Sequence, residues 1–163
     1  MWLFEKLSRS IPANEPLNPI EAQWISDTMR GGLIWSENGW KGYGRQYDYT
    51  SLYPHLLTKY FFPISEGEFQ TVNSIYYKNG DKKFMYYGIF HAEVEYQKEV
   101  TSLFRYNNKN MYTHYDLTLA ESLNLKITLF QDNAPNVLSY KPYPGNILFG
   151  PYVEILFNIS GSV

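Results

Sequence analysis

Asp48 and the residues that follow it hold the plainest capacity for chemistry in this chain. In Tyr47-Asp48-Tyr49-Thr50-Ser51-Leu52-Tyr53-Pro54 a hard carboxylate stands beside the carbonyl of Tyr49. That pair of oxygens suits Mg²⁺, which prefers oxygen ligands and is commonly held by one or two carboxylates together with substrate phosphates. The backbone amides of Thr50, Ser51 and Leu52 open the next helix and form a seat for a triphosphate, because helix N-termini present unpaired N–H groups to anions. The plainer alternative is a tyrosine-rich strand followed by a helix with proline in its first turn. Ser51 lacks a His-Asp partner set, so a nucleophilic triad is not indicated, and no Gly-rich phosphate loop is present.

The elements that must position these residues can be read from local rules. Residues 11 to 19 carry three prolines, Pro12, Pro16 and Pro19, and read as a linker. Asn18 is a good N-cap, with Pro19 at the first helical position and Glu21 three residues after the cap. Ile20, Ala22, Trp24, Ile25 and Met29 make an apolar face, and Gly31-Gly32 is expected to stop the helix. Leu33 to Trp35 reads as a strand, Asn38-Gly39 as a hairpin turn, and Gln46 to Tyr49 as the next strand. Ser51 to Tyr60 is a helix in which Pro54 is tolerable within the first turn.

From Pro63 to about Met111 the chain is rich in turns and tyrosines. Asn79-Gly80 predicts a second hairpin and Tyr86 to Tyr96 a long strand. Tyr112 to Leu123 reads as a short helix capped near Thr113 or His114, with Leu117, Ala120 and Leu123 on one face. Leu125 to Phe130 is a strand and Asp132 to Asn136 a turn. Gly145 to Phe157 is apolar, and its state is left open. The expected architecture is α+β, a mainly antiparallel sheet packed by helices with a β-rich insertion.

The pattern D-x-x-S-L-Y-P resembles motif A of family-B DNA polymerases, where a palm strand turns into a helix. Met29-Arg30-Gly31-Gly32 resembles the Y-x-G-G element that precedes it, with Met29 where tyrosine is usual. Tyr112 to Glu121 is similar to the palm helix that returns after motif A, Leu125 to Phe130 to the following strand, and Gly145 to Phe157 to the start of the fingers. The resemblance runs from about residue 18 onward and is closest to protein-primed polymerases of linear plasmids, small phages and viruses. It implies that Asp48 is catalytic and, with the Tyr49 carbonyl, holds Mg²⁺. It implies that Tyr49, Thr50, Ser51, Leu52 and Tyr53 meet the nucleotide, Tyr53 beneath the sugar where a 2′-hydroxyl would clash. Arg30, Gly31 and Gly32 would meet DNA. The implied partners are a DNA template-primer, deoxynucleoside triphosphates and a terminal priming protein.

Two motifs of that family do not occur: the D-T-D turn that supplies a second metal-binding carboxylate, and a fingers helix of the form K-x-x-x-N-S-x-Y-G. Two-metal phosphoryl transfer needs both palm carboxylates. The chain is therefore expected to be part of a polymerase and inactive alone, or else a folded, non-catalytic remnant that binds nucleic acid or a partner. On this reading residues 1–32 are linker and helix and 33–65 the palm strand and helix. Residues 66–111 are an insertion, and 112–163 the return to the palm with the start of the fingers.

Composition frames these readings. The chain has 16 Tyr, 10 Phe and 4 Trp, and 14 Lys+Arg against 16 Asp+Glu give a net charge of −2. A self-sufficient nucleic-acid binder is usually basic, so charge alone speaks against one. With no cysteine there is no disulfide framework and no Cys-based zinc site. No window is apolar for the roughly 20 residues a membrane span needs. Three further groupings carry residues capable of binding chemistry. His91, Glu93 and Glu95 share a strand face, read as solvated rather than as a metal site. Lys78, Lys82 and Lys83 flank a hairpin, and Arg105 and Lys109 another loop, among tyrosines that suit single-stranded nucleic acid. A carbohydrate-binding alternative would rest on Trp35 and Trp40.

Overall fold

A computed structural model describes residues 17–32 and 34–160 of the chain. In chain order its elements are α1 (Pro19–Thr28), α2 (Leu52–Lys59), β1 (Phe61–Pro63), β2 (Glu68–Gln70), β3 (Tyr76–Asn79) and β4 (Lys82–Met85). Then come β5 (Gly88–Val94), β6 (Met111–Thr113), α3 (His114–Ser122), β7 (Ile127–Leu129), β8 (Val137–Ser139), β9 (Pro142–Pro144) and α4 (Gly145–Ser160). Every strand pair of recorded register is antiparallel, so the fold is α+β. The described residues form two compact units, one of residues 17–29 and 63–142, the other of residues 30–32, 34–62 and 143–160.

The first unit is built on β5. Its order is β2-β8-β5-β6, with β7 also paired to β5. Phe90, Ala92 and Val94 recur at period two and are buried with Phe104, Tyr112, Leu117, Ala120, Leu125 and Val137. Helix α3 lies on this side, contributing Leu117 and Ala120. Its start is a capping box: the Thr113 hydroxyl accepts from the Asp116 amide at 3.2 Å while the Asp116 carboxylate accepts from the Thr113 amide at 2.8 Å. The opposite face meets Trp24 of α1, whose ring stands edge-on to Phe69 at 5.4 Å and to His91 at 6.5 Å.

Helix α1 begins as expected, with the Asn18 side chain accepting from the Ile20 amide and Pro19 in the first turn. Its buried residues, however, are Glu21 and Thr28, while Ile20 and Met29 are exposed. The apolar face read from the sequence is therefore rotated. The Glu21 carboxylate is drawn in because it accepts from the Gly67 amide at 3.1 Å, a bond that apolar periodicity cannot show. Burial, and then the Glu21 carboxylate, raise the Tyr140 hydroxyl well above the usual tyrosine range. The helix also ends before the glycines. Met29 is its extended C-cap, and the Thr28 hydroxyl donates back to the Trp24 carbonyl at 2.8 Å.

Strands β7 and β8 lie along the same edge of β5, interrupted by the turn at Asp132–Asn136. Val94 pairs with Ile127, Ala92 with Leu129, Phe90 with Val137 and Gly88 with Ser139. At the neck of the turn the Phe130 amide donates to the His91 carbonyl and the His91 amide to the Asn136 carbonyl. The fully buried Asn136 side chain closes it. Its amide nitrogen donates to the carbonyls of Val72 and Phe130, and its oxygen accepts from the Val72 amide, each at 2.9 Å. His91 itself stacks on Phe130 at 4.2 Å, and Glu93 and Glu95 are exposed.

In the second unit, α2 packs with α4. The Gly145 amide donates to the Tyr60 carbonyl at 2.8 Å, and a Cβ at Gly145 would lie 2.1 Å from the Leu57 carbonyl oxygen. Phe62 and Phe149 meet edge-on at 5.1 Å. Residues 145–160 are thus helical, despite Pro151 within them.

Two outcomes test this account. Asn136→Ala leaves the Val72 amide and the Phe130 carbonyl without this partner, while the Val72 carbonyl keeps its bond from the Gln131 side chain at 2.9 Å, so it should lower unfolding stability by roughly 2–4 kcal/mol in urea titration. The His114 imidazole has its pKa lowered from 6.5 chiefly by burial, against smaller raising effects of the Gly88 carbonyl and Asp116. Below about pH 6.5 the unfolded chain then binds a proton that the folded chain resists. Stability should fall as the pH drops from 6.5 toward 5, and His114→Gln should flatten that stretch of the curve.

Candidate functional site

The expected site falls in the unit formed by residues 30–32, 34–62 and 143–160. Two strands predicted around it are not formed. Gln46 to Tyr49 is irregular backbone, and so are Ile34 and Trp35, while Leu33 lies outside the described residues. The reason is pairing. A strand needs a neighbour to satisfy its N–H and C=O groups, and no strand of the described residues runs beside these segments. Asn38-Gly39 does turn, with Gly39 at φ +80°, but it joins no strands.

The helix after Asp48 forms as read. It runs from Leu52 to Lys59, with Pro54 in its first turn and Lys59 in its last, where a cation favours the helix dipole. Its N-cap is Ser51, at φ 58° and ψ 33°, in the left-handed region. For a residue with a Cβ this costs on the order of 1 kcal/mol or more, and such outliers gather at binding sites. The Ser51 hydroxyl forms no capping bond; the Ser51 carbonyl accepts the first helical bond from His55 at 3.0 Å. The Leu52 and Tyr53 amides therefore make no hydrogen bond among the described residues and face outward from the helix start.

Asp48, Tyr49, Thr50, Leu52 and Tyr53 are exposed and Ser51 half-buried. Tyr49 and Tyr53 are 79% and 78% exposed, so neither ring belongs to a core. Asp48 forms no ion pair among the described residues. The structure thus keeps Asp48 to Tyr53 together by sequence, as an exposed turn leading into an open helix N-terminus.

Arg30 is half-buried, and Gly31 and Gly32 are exposed, in irregular chain after α1. Neither glycine has positive φ, and no atom of the described residues lies within 4 Å of where a Cβ would stand on either. Packing among the described residues does not demand glycine there, nor does the end of α1. Close approach of another backbone is a use that remains for them.

The donor set can be compared with Mg²⁺. Asp48 and the Tyr49 carbonyl supply two hard oxygens, exposed beside amides suited to phosphate. That fits an ion that arrives with a nucleotide and keeps several waters, rather than one caged by protein. Among the described residues no group of three or more His, Asp or Glu forms such a cage.

Sequence reasoning named these residues but missed the left-handed backbone at Ser51. A serine in an S-L-Y-P run gives no signal for positive φ, since the conformations asparagine and glycine favour are not serine's preference. Comparison with protein-family models, curated proteins and solved structures returns no match for this chain.

Ser51→Gly should relieve the backbone at no loss of a cap bond, and Ser51→Val should worsen it. Thermal unfolding is expected to show the glycine variant stabilised by up to about 1 kcal/mol and the valine variant destabilised by about as much or more.

Proposed function

We propose that this chain is part of a family-B DNA polymerase of the protein-primed kind, contributing one of the two metal-binding carboxylates of a nucleotidyl-transfer site. The observation that carries the reading is the Asp48 to Pro54 run: an exposed carboxylate three residues ahead of an uncapped helix N-terminus, with exposed Tyr53 on the helix's first turn. Each part has a use for a deoxynucleoside triphosphate. The amides of Ser51, Leu52 and Tyr53 bind phosphate oxygens, helped by the positive end of α2. Asp48 and the Tyr49 carbonyl hold Mg²⁺, and the Tyr53 ring takes the face of the sugar and excludes a 2′-hydroxyl. When bound, the ion would neutralise charge on the triphosphate and lower the pKa of the attacking primer hydroxyl. Arg30 meets template phosphate, with Gly31 and Gly32 letting the backbones approach.

The chain supplies only Asp48 toward a two-metal site, and no D-T-D turn occurs in it. Synthesis therefore belongs to an assembly or a longer protein. A second reading is that the chain is non-catalytic and binds nucleic acid or a partner. The two diverge in a complementation assay with the missing fingers and second carboxylate supplied.

The reading is tested by titrating the chain with a deoxynucleoside triphosphate, with and without Mg²⁺, by calorimetry. Mg²⁺ should strengthen binding, and Asp48→Asn should remove that gain, weakening the Mg²⁺-dependent affinity by more than about tenfold. Tyr53→Val should narrow the preference for deoxyribose over ribose. Undiminished Mg²⁺-dependent binding by Asp48→Asn would sink the proposal.

A further inference from the structure

The hairpin of β3 and β4 is a second place where the chain presents unusual chemistry, and it uses none of the residues around Asp48. Its register pairs Tyr76 with Met85, Tyr77 with Phe84, Lys78 with Lys83 and Asn79 with Lys82. Alternate pairs face opposite ways, so Tyr77, Phe84, Asn79 and Lys82 share one face and Tyr76, Met85, Lys78 and Lys83 the other. The second face is anchored at its base. The Tyr76 hydroxyl donates to Glu121 of α3, and the Thr118 hydroxyl to the Met85 sulfur at 3.7 Å. The first face looks outward. There Tyr77 stacks on Phe84 at 5.8 Å and 28°, and meets at 5.0 Å the Tyr86 ring, which is half-buried against the core. Tyr77 and Phe84 remain 40% and 41% exposed.

Charge is concentrated on the same ribbon. Lys78, Lys82 and Lys83 stand against one carboxylate, Asp81, in a chain whose net charge is −2. All three lysines are exposed, and none pairs with a carboxylate of the described residues. Lys78 and Lys83 sit directly opposite each other, a like-charge pairing that weakens a hairpin by itself. Among the described residues the Tyr76 ring, 4.0 Å from the Lys83 ammonium, offsets it. A polyanion would turn that repulsion into attraction.

We propose that this hairpin binds single-stranded nucleic acid. Bases stack on the exposed Tyr77 and Phe84 rings, and phosphates are met by Lys82 on that face, while Lys78 and Lys83 on the other face add to the ribbon's positive field. An anionic membrane shares the charge preference but fits the geometry poorly. The apex is Asn79-Gly80-Asp81, polar and partly acidic, so the rings at the base of the ribbon could not be inserted without burying a carboxylate. A duplex hides the base faces that the rings would use.

The test is fluorescence anisotropy of a labelled oligothymidylate about 12 nucleotides long, titrated with the full chain. Its duplex, heparin and phosphatidylserine vesicles serve as competitors. Single-stranded binding should be displaced least by vesicles, and each of Lys78→Gln, Lys82→Gln and Lys83→Gln should reduce the slope of log affinity against log salt by about 0.7. Phe84→Leu keeps an apolar side chain but loses the flat ring, and should weaken binding by roughly fivefold or more. Lys82→Gln, at the exposed apex, guards against a misfolded variant, and far-ultraviolet circular dichroism checks the others. No single-strand binding by the folded chain overturns the proposal. So does a salt slope unmoved by the lysine variants, unchanged affinity in Phe84→Leu, or tighter binding to vesicles or duplex. Asp48→Asn should leave this binding intact, so the outcome is separable from the polymerase reading.

Discussion

The Asn136 side chain is the clasp on which the sheet depends. Strands β7 and β8 are two halves of one edge facing β5, and the turn at Asp132–Asn136 leaves the line between them. Such an excursion leaves backbone groups at its neck without strand partners. Asn136 answers with an amide that both donates and accepts. It bonds the carbonyl of Phe130 on the far side of the neck and both backbone groups of Val72, the residue two past β2. No aliphatic residue could do this, and aspartate would lack the donor. Because the side chain is fully buried, these bonds are made in a low dielectric, where leaving one unmade is most costly. Both halves of the edge strand can therefore keep register with β5, and the core residues Phe90, Ala92 and Val94 stay on one face.

What was legible in the sequence was local. Asn18 with Pro19, a cap near Thr113 or His114 and Asn79 with Gly80 are readable because each satisfies backbone groups within a few residues. The structure uses all three. Gly80 turns at φ +61°, where a side chain would be strained. What was not legible depends on partners distant in sequence. The Glu21 carboxylate is buried by an amide 46 residues away. Gln46 to Tyr49 has the composition of a strand, yet composition cannot supply a neighbouring strand, and none is present among the described residues. Gly145 to Phe157 is helical because Gly145 lets α4 start against the carbonyls of Leu57 and Tyr60, a steric fact invisible from apolarity alone.

The same distinction applies to the candidate site. Residue types and order from Asp48 to Pro54 were evident, but the backbone was not. With Ser51 in the left-handed region, the chain turns abruptly into α2 and the helix starts without a side-chain cap. A capping hydroxyl would have occupied the amides that a phosphate needs. The arrangement spends local stability on an open N-terminus, a choice that makes sense where a ligand completes the helix end.

Net charge turns out to be a poor guide to what this chain can hold. A value of −2 argues against nucleic-acid binding only if charge is spread evenly, and it is not. Lys78, Lys82 and Lys83 are gathered on one short ribbon, and two of them are paired directly across its strands. Exposed charges separated by more than a Debye length, about 8 Å in physiological salt, scarcely feel one another. A strand of phosphates lying on the ribbon would respond to those lysines and not to carboxylates scattered elsewhere. Aromatic rings on the ribbon's outer face add a contact that carries no charge at all. Local geometry, rather than the sum over the chain, sets which polyanion can bind and where.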